Sequence, residues 1–136
     1  MTVCVAFYKG RPRAGSSLRE RAKYLFDWTI RRITRSPYSH CELAIPDTSR
    51  PGVYYCVSAS VRDGGVRGKY MTLPDDRWDL LPVANVKGLR SVTAARVSDH
   101  LRIHKGQKYD WLGVFRFICP FLCQSKTRWF CSEFVA

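Results

Sequence analysis

Two apolar runs joined by a turn constrain the fold of this chain more than any other feature. Residues 40–45 alternate, so that in an extended chain His40 and Glu42 face one way and the apolar side chains between them face the other. Residues 46–52 are rich in Pro, Asp, Ser and Gly, which favour turns, and residues 53–60 form a second β-rich run. The pattern predicts an antiparallel hairpin or meander that presents a histidine beside a glutamate.

The rest of the chain predicts further strands and helices around this hairpin. Strands are expected at residues 2–8, 69–73 and 78–83. Helices are expected at residues 18–34, 91–104 and 111–123. Ser17 and Glu20 fit a capping box that opens the first helix. This order predicts an α+β protein in which helices pack on an antiparallel sheet.

Composition bounds the class of protein. A chain of 136 residues with 46% hydrophobic and 13% aromatic residues suits a single globular domain, residues 1–136. No run approaches the roughly 18 apolar residues of a membrane-spanning helix. The first six residues lack the basic start and apolar core of a Sec signal peptide. We therefore expect a chain without a transmembrane segment that is cytoplasmic on synthesis and reaches a virion or the cell envelope only by another route.

The chain is strongly basic, with 23 Lys and Arg against 11 Asp and Glu and a formal net charge of +12. Such a charge attracts polyanions, among them nucleic acid, anionic lipid and an anionic cell envelope. The basic residues are spread along the chain, and no nucleic-acid-binding motif with interleaved aromatic residues is present. Charge alone thus indicates an anionic partner as well as an ordinary solvated surface.

The cysteines and histidines give little sign of metal chemistry. The six cysteines are scattered through predicted strands and helices, which is typical of small buried apolar residues with reduced thiols. His100 and His104 have the spacing of a zincin helix, but the glutamate that such a site uses as base is missing between them, which favours surface histidines. We expect no metal and no cofactor.

One histidine and one cysteine have the surroundings of a catalytic pair. His40 begins a predicted strand, and Cys131 begins a predicted helix at the other end of the chain. A helix N-terminus and a nearby imidazole both favour thiolate, which is the nucleophilic form of cysteine. The pair indicates covalent catalysis with the histidine first in the sequence and the cysteine last.

Five short motifs resemble a known family in this order. The chain resembles the circularly permuted, NlpC-like papain-fold amidases of the YaeF/YiiX group, and more distantly the LRAT-type acyltransferases. The motifs are Arg-Ser-Pro-Tyr at 35–38, Ser-His-Cys-Glu-Leu at 39–43, Tyr-Cys-Val-Ser-Ala at 55–59, Lys-Tyr-Asp-Trp-Leu-Gly at 108–113 and Trp-Phe-Cys-Ser-Glu at 129–133. The resemblance implies a permuted papain-like fold.

The resemblance also implies roles for individual residues. Cys131 is expected to be the nucleophile and His40 its base. Ser58 occupies the position of the residue that orients the imidazole, where the relatives carry acidic, amide or imidazole side chains, and a serine offers no charge to the ring. Ser60 and Glu42 are the substitutes for that role, and Tyr109 is a candidate for contact with the oxyanion or the substrate.

The expected activity is that of a cysteine amidase or peptidase acting through a thioester, with a bacterial cell-wall peptide as the substrate that the resemblance implies. A lipid thioesterase or acyltransferase of the LRAT type is the alternative enzyme, and it predicts an apolar groove. A third hypothesis is a catalytically idle phage, virion or polyanion-binding protein. That hypothesis predicts salt-sensitive binding that survives Cys131→Ser.

The sequence departs from the relatives at its end. Only five residues follow Cys131, which is little more than one helical turn, whereas the relatives continue beyond this point. From this we expect a nucleophile helix that is either truncated or completed by a neighbouring chain.

Overall fold

Five strands form one antiparallel sheet in the computed structural model, which describes residues 2–83, 92–116, 121, 127–129 and 131–135. The strands are β1 (Cys4–Tyr8), β2 (His40–Pro46), β3 (Val53–Ser60), β4 (Gly65–Thr72) and β5 (Trp78–Pro82). Their order across the sheet is β4-β3-β2-β1-β5. The predicted α+β class and the β2–β3 hairpin are confirmed, and β2 lies at the centre of the sheet.

Helices α1 (Leu18–Lys23), α2 (Leu25–Thr34), α3 (Ala94–His104), α4 (Trp111–Phe115) and α5 (Cys131–Val135) complete the described elements. None of the helices in these ranges is long and apolar enough to cross a membrane. Ser17 and Glu20 form the predicted capping box of α1, in which the Glu20 carboxylate accepts from the Ser17 N–H at 2.9 Å. Asp110 caps α4 in a similar way, because its Oδ1 accepts from the Gly113 N–H at 3.0 Å.

Several predicted boundaries differ from the structure. The single helix expected at 18–34 is interrupted at Tyr24, where φ of −94° and ψ of 0° leave the α region. β4 starts at Gly65, earlier than the predicted residue 69, because a tight turn at Gly64 leads directly from β3 into β4. The helix predicted at 111–123 is described only as far as Phe115, and residues 117–120 and 122–126 lie outside the described part of the chain.

The main core lies between one face of the sheet and the helices. Buried side chains of β2, β3 and β4 meet residues of α3, α4 and α5 there, with Phe26 and Ile30 of α2 packed against them. The buried members are Val3, Leu43, Ile45, Val57, Ala59, Val66, Val97, Leu101, Tyr109, Val114 and Phe134. Burial of this apolar set is the largest favourable contribution to folding, and it fixes α5 against the centre of the sheet.

A second, smaller cluster covers the opposite face of the sheet. It consists of Cys4, Ala6, Tyr8, Ala44, Cys56, Leu73 and Trp78. Because successive residues of a strand point to opposite faces, His40 and Glu42 share this second face with Ala44, as their alternation predicted. The candidate site forms at the end of the sheet where β2 begins, because Cys131 of α5, from the main-core side, also reaches His40 there.

Candidate active site

His40 and Glu42 are adjacent on one face of β2, and their side chains are in contact. The His40 Nε2 lies 3.1 Å from the Glu42 Oε1. Glu42 is only 1% exposed, so its carboxylate is held away from water. The ring of Trp78, on β5, lies edge-on to the imidazole with 6.1 Å between centroids. A buried carboxylate thus fixes the orientation of the histidine ring.

Cys131, the first residue of α5, lies beside the same histidine. The Cys131 thiol and the His40 ring are close enough for each to shift the pKa of the other. The structure therefore brings together the two residues that the sequence analysis paired, with Glu42 as the third member of the row.

A short backbone ladder holds Cys131 in this place. The Trp129 N–H donates to the Lys108 carbonyl at 3.1 Å, and the Asp110 N–H donates to the Trp129 carbonyl at 3.0 Å. The segment around Lys108 is in turn bridged to Gly65 at the start of β4. The residue two positions before the thiol is thereby tied to the sheet that carries the histidine.

The surroundings of Cys131 favour its thiolate. A hydrogen bond from the Cys41 thiol, helped by those from the His40 ring and the Cys41 backbone N–H, lowers the pKa of Cys131 well below its ordinary value despite burial. Burial lowers the pKa of His40, but its bonds to Cys131 and Glu42 outweigh that effect and raise it to about 9. The two shifts are complementary, and they favour a thiolate–imidazolium pair at neutral pH.

Arg67, on β4, holds the carboxylate of Glu42 in place. Its Nη2 lies 2.6 Å from the Glu42 Oε1 and its Nη1 lies 2.9 Å from Oε2, a bidentate pair, while its Nε donates to Asp63 at 2.6 Å. Burial raises the pKa of Glu42, yet the bonds from His40 and Arg67 prevail and lower it to about 2. Glu42 therefore stays ionised beside the imidazole.

Ser58, the expected orienting residue, does not have the contact that the family resemblance implies. Its fully buried hydroxyl donates to the Cys41 carbonyl at 2.7 Å, with a longer contact of 3.4 Å to the Ala59 carbonyl. Ser58 lies on β3 opposite Arg67, between the strands of Glu42 and Arg67. A small side chain there leaves room for the guanidinium to reach across the strand.

A pocket of about 110 Å³ opens beside the imidazole. His40, Glu42, Ser60, Tyr109 and Trp78 are among its lining residues, so Ser60 and Tyr109 lie at the site without a described contact to the ring. Burial and the negative charge of the Cys131 thiolate raise the pKa of Tyr109, which keeps its phenol protonated. A protonated phenol is a hydrogen-bond donor.

Asp27 forms a second buried polar group at the rim of this pocket. Its Oδ1 accepts from the Ser39 hydroxyl at 2.9 Å, and its Oδ2 accepts from Arg62 at 2.6 Å. The sequence analysis missed this group, although an aspartate on the core side of an amphipathic helix is a sign of a buried partner. Because Ser39 precedes His40, the bond links α2 to the start of β2.

His100 and His104 are not the surface histidines that the sequence predicted. Both are half-buried, with the His100 ring 4.5 Å from Phe134 and the His104 ring 4.8 Å from Trp129. They pack on the residues that flank Cys131 and thereby support α5. Burial and the charge of His104 lower the pKa of His100.

The described cysteines at positions 4, 41, 56 and 131 are free thiols, while Cys119 and Cys123 lie outside the described residues. Over the described residues, no group of three or more His, Cys, Asp or Glu side chains is arranged to hold a metal ion. Cys131, His40 and Glu42 supply a thiol, an imidazole and a carboxylate. This combination is suited to nucleophilic attack on a carbonyl carbon.

Comparison of the chain with family models, with curated proteins and with solved structures found no match.

Proposed function

We propose that this protein is a cysteine hydrolase that cleaves an amide bond through a thioester. The observation that carries the proposal is the arrangement in which the Cys131 thiol lies beside the His40 ring while Nε2 of that ring lies 3.1 Å from the Glu42 carboxylate. Nucleophile, base and orienting group are the three parts that thiol catalysis requires.

The first step is attack by the Cys131 thiolate on the substrate carbonyl. A bond forms between sulfur and the carbonyl carbon, and the carbonyl electron pair moves to oxygen. When the tetrahedral intermediate collapses, the carbon–nitrogen bond breaks and the His40 imidazolium gives its proton to the departing amine. The Glu42 carboxylate, held by Arg67, stabilises the imidazolium until that transfer.

The second step releases the acyl group. The neutral His40 takes a proton from water, the water oxygen bonds to the thioester carbon, and the carbon–sulfur bond breaks to restore the thiolate. The Cys131 backbone N–H and the Tyr109 phenol are our candidates for stabilising the oxyanion, the latter because Tyr109 lines the pocket beside His40.

A circularly permuted, papain-like fold of the NlpC type is part of the proposal. Two features support it: the histidine lies on a central strand of an antiparallel sheet, and the cysteine follows much later at the start of a helix packed on that sheet. Within this class we favour a bacterial cell-wall peptide as substrate, since a protein of net charge +12 is attracted to an anionic envelope.

An acyl ester or thioester is the second candidate substrate. Phe26 lines the pocket beside His40 and also lines an apolar groove between α2 and α4. An apolar groove that shares Phe26 with the pocket beside His40 supports the LRAT-type alternative. In this alternative the apolar groove binds the acyl chain of the substrate, and the carbonyl group of that chain lies at Cys131.

The test is the pH dependence of iodoacetamide labelling, mapped by mass spectrometry in the native protein and in His40→Ala. We expect Cys131 to label fast well below its unperturbed pKa of about 8.5, and His40→Ala to abolish that advantage. The buried Cys4 and Cys56 are internal controls that label slowly in the folded protein.

Hydrolysis of cell-wall stem peptides and of acyl esters, each measured with Cys131→Ser as the blank, then separates the two substrate classes. If Cys131 labels no faster than Cys4 in the folded protein, the hydrolase proposal fails. Salt-sensitive binding to a polyanion that survives Cys131→Ser would then favour the non-catalytic hypothesis.

A further inference from the structure

The helices nearest the N-terminus expose large apolar side chains in one row. Leu18 is 85% exposed, Leu25 63% and Trp28 54%. Tyr24 is both the C-cap of α1 and the N-cap of α2, so the two helices follow one another in the chain with one residue between them. Leu25 and Trp28 are three residues apart within α2, so they lie on one side of that helix, and Leu18 is exposed on the helix before it. Exposing them to water is unfavourable, because each presents apolar surface that gains from burial.

The row continues onto α4 through the apolar groove. Leu25, Ile30 and Ile33 line one wall of this groove, and Val114 and Phe115 line the other. Phe115 is itself 45% exposed. We define the apolar helical face as Leu18, Leu25, Trp28 and Phe115. Contiguous exposed apolar surface of this kind marks a site of interaction.

The segment that carries most of the apolar helical face is rich in basic residues. Residues 9–35 contain nine lysines and arginines against two acidic residues. Both acidic side chains are engaged, Asp27 with Arg62 and Glu20 in the cap of α1. The exposed arginines of this segment are Arg11, Arg13, Arg19, Arg21, Arg32 and Arg35. The segment therefore presents positive charge to whatever the apolar side chains contact.

The arginines and the apolar side chains lie close together. Arg21 and Arg31 line one shallow depression together with Leu25 and Trp28. Arg32 follows Trp28 by four residues, one helical turn further along the same side. Arginine can lay its aliphatic stem along apolar surface while its guanidinium binds phosphate, and tryptophan favours the boundary between lipid tails and headgroups.

From this arrangement we propose that α1 and α2 dock the protein on an anionic phospholipid surface, with the apolar helical face inserted at the headgroup level and the surrounding arginines on lipid phosphates. We choose an anionic membrane as the partner because of charge complementarity. Arginines next to exposed apolar side chains match anionic headgroups that lie above acyl chains. The proposal does not depend on catalysis by Cys131.

The experiment is co-sedimentation of the full chain with vesicles of phosphatidylcholine alone or with about a third phosphatidylserine. We expect binding to the anionic vesicles and little to the neutral ones. The double variant Leu25→Ser, Trp28→Ser removes two exposed side chains and is expected to weaken binding about tenfold or more. Its matched control is Ile103→Ser on α3, which is 65% exposed and outside the apolar helical face. That control should bind as the wild type does.

A second variant tests the charged part independently. Arg21→Glu is expected to weaken binding to anionic vesicles, while Arg102→Glu, an exposed residue of α3, has a smaller effect. Cys131→Ser should bind fully, so failure of this proposal and failure of the hydrolase proposal are separate results. Equal binding of the double variant and of Ile103→Ser would overturn the proposal. So would dimerisation in sedimentation velocity that the double variant abolishes, because a second copy would then cover this face.

Discussion

At the residue scale, the reactivity of Cys131 depends on its neighbours more than on the cysteine itself. Cys41 is next to His40 in the sequence, and both its thiol and its backbone N–H act to lower the pKa of Cys131. The proximity of the Cys131 thiolate raises the pKa of Cys41 in return, so the Cys41 thiol keeps its proton and remains a donor. One thiolate is thereby stabilised by one thiol and one imidazolium.

The first prediction concerns the donor role of Cys41. Cys41→Ala removes the thiol donor and should shift the midpoint of iodoacetamide labelling at Cys131 to higher pH, since the thiolate loses its strongest stabilising contact. Cys56→Ala is the matched control, because Cys56 is buried in the cluster on the other face of the sheet. An equal labelling profile in both variants would contradict the assignment.

The second prediction separates Glu42 from Ser58 as the residue that orients His40. Glu42→Gln should lower the pKa of the His40 ring from about 9, because the neighbouring negative charge is lost. Ser58→Ala should leave that pKa unchanged, since the Ser58 hydroxyl bonds to the Cys41 carbonyl. Titration of the histidine ring signals by NMR measures both. If the His40 pKa changes more in Ser58→Ala than in Glu42→Gln, Ser58 and not Glu42 orients the imidazole.

At the element scale, α2 connects the segments that border the candidate site. Arg31 of α2 donates to the carbonyls of Lys9 and Gly10, and Asp27 of the same helix binds Ser39. These bonds join the loop after β1, the middle of α2 and the start of β2. Gly10 lies at their centre with φ of +58°, in the left-handed region that glycine adopts most readily.

The third prediction tests this junction. A Cβ at Gly10 would lie 2.2 Å from the Ser39 Oγ and 2.7 Å from the Asp27 Cβ, so Gly10→Ala should lower the free energy of unfolding by about 3 kcal/mol. Gly15→Ala is the matched control, because φ there is also positive but nothing lies within 4 Å, and it should cost only about 1 kcal/mol. Urea unfolding measures both. If both variants lose the same free energy of unfolding, the loss at Gly10 comes from backbone strain alone and not from contact with Ser39 and Asp27.

At the scale of the whole molecule, buried charge links stability to pH. Glu42 is almost fully buried and binds both His40 and Arg67, which ties β2 to β4 across the strand between them. Its pKa falls from 4.5 to about 2 on folding. A depressed carboxyl pKa contributes stability that is fully present above the unfolded value and is lost as the pH falls through the folded value.

The fourth prediction follows from that sign. At pH 7, Glu42→Gln should lower the free energy of unfolding by about 3 kcal/mol. Between pH 4.5 and about 2 the two proteins should converge, because the wild-type carboxylate takes up its proton. Urea unfolding at a series of pH values measures the difference. Asp99→Asn, in an exposed pair on α3, is the control and should have little effect at any pH. A pH-independent difference for Glu42→Gln would contradict the account.

The sequence by itself determined the local features. The alternation in residues 40–45 predicted β2 and placed His40 and Glu42 on one face, and Ser17 with Glu20 predicted where the first helix begins. These predictions succeed because strand alternation and helix capping depend on residues only two or three positions apart. The antiparallel sheet followed from the same local patterns and the turn residues between them.

Only the tertiary structure decided which polar groups meet. Glu42 rather than Ser58 contacts the imidazole because Arg67 reaches over the serine and fixes the carboxylate, and this depends on the register of three strands. The thiol donor at Cys41 and the packing of His100 and His104 around α5 also depend on contacts between distant segments. Residue types and spacing supply the candidates, but hydrogen bonding and burial act through space, so the partners are set only when the core brings α5 onto β2.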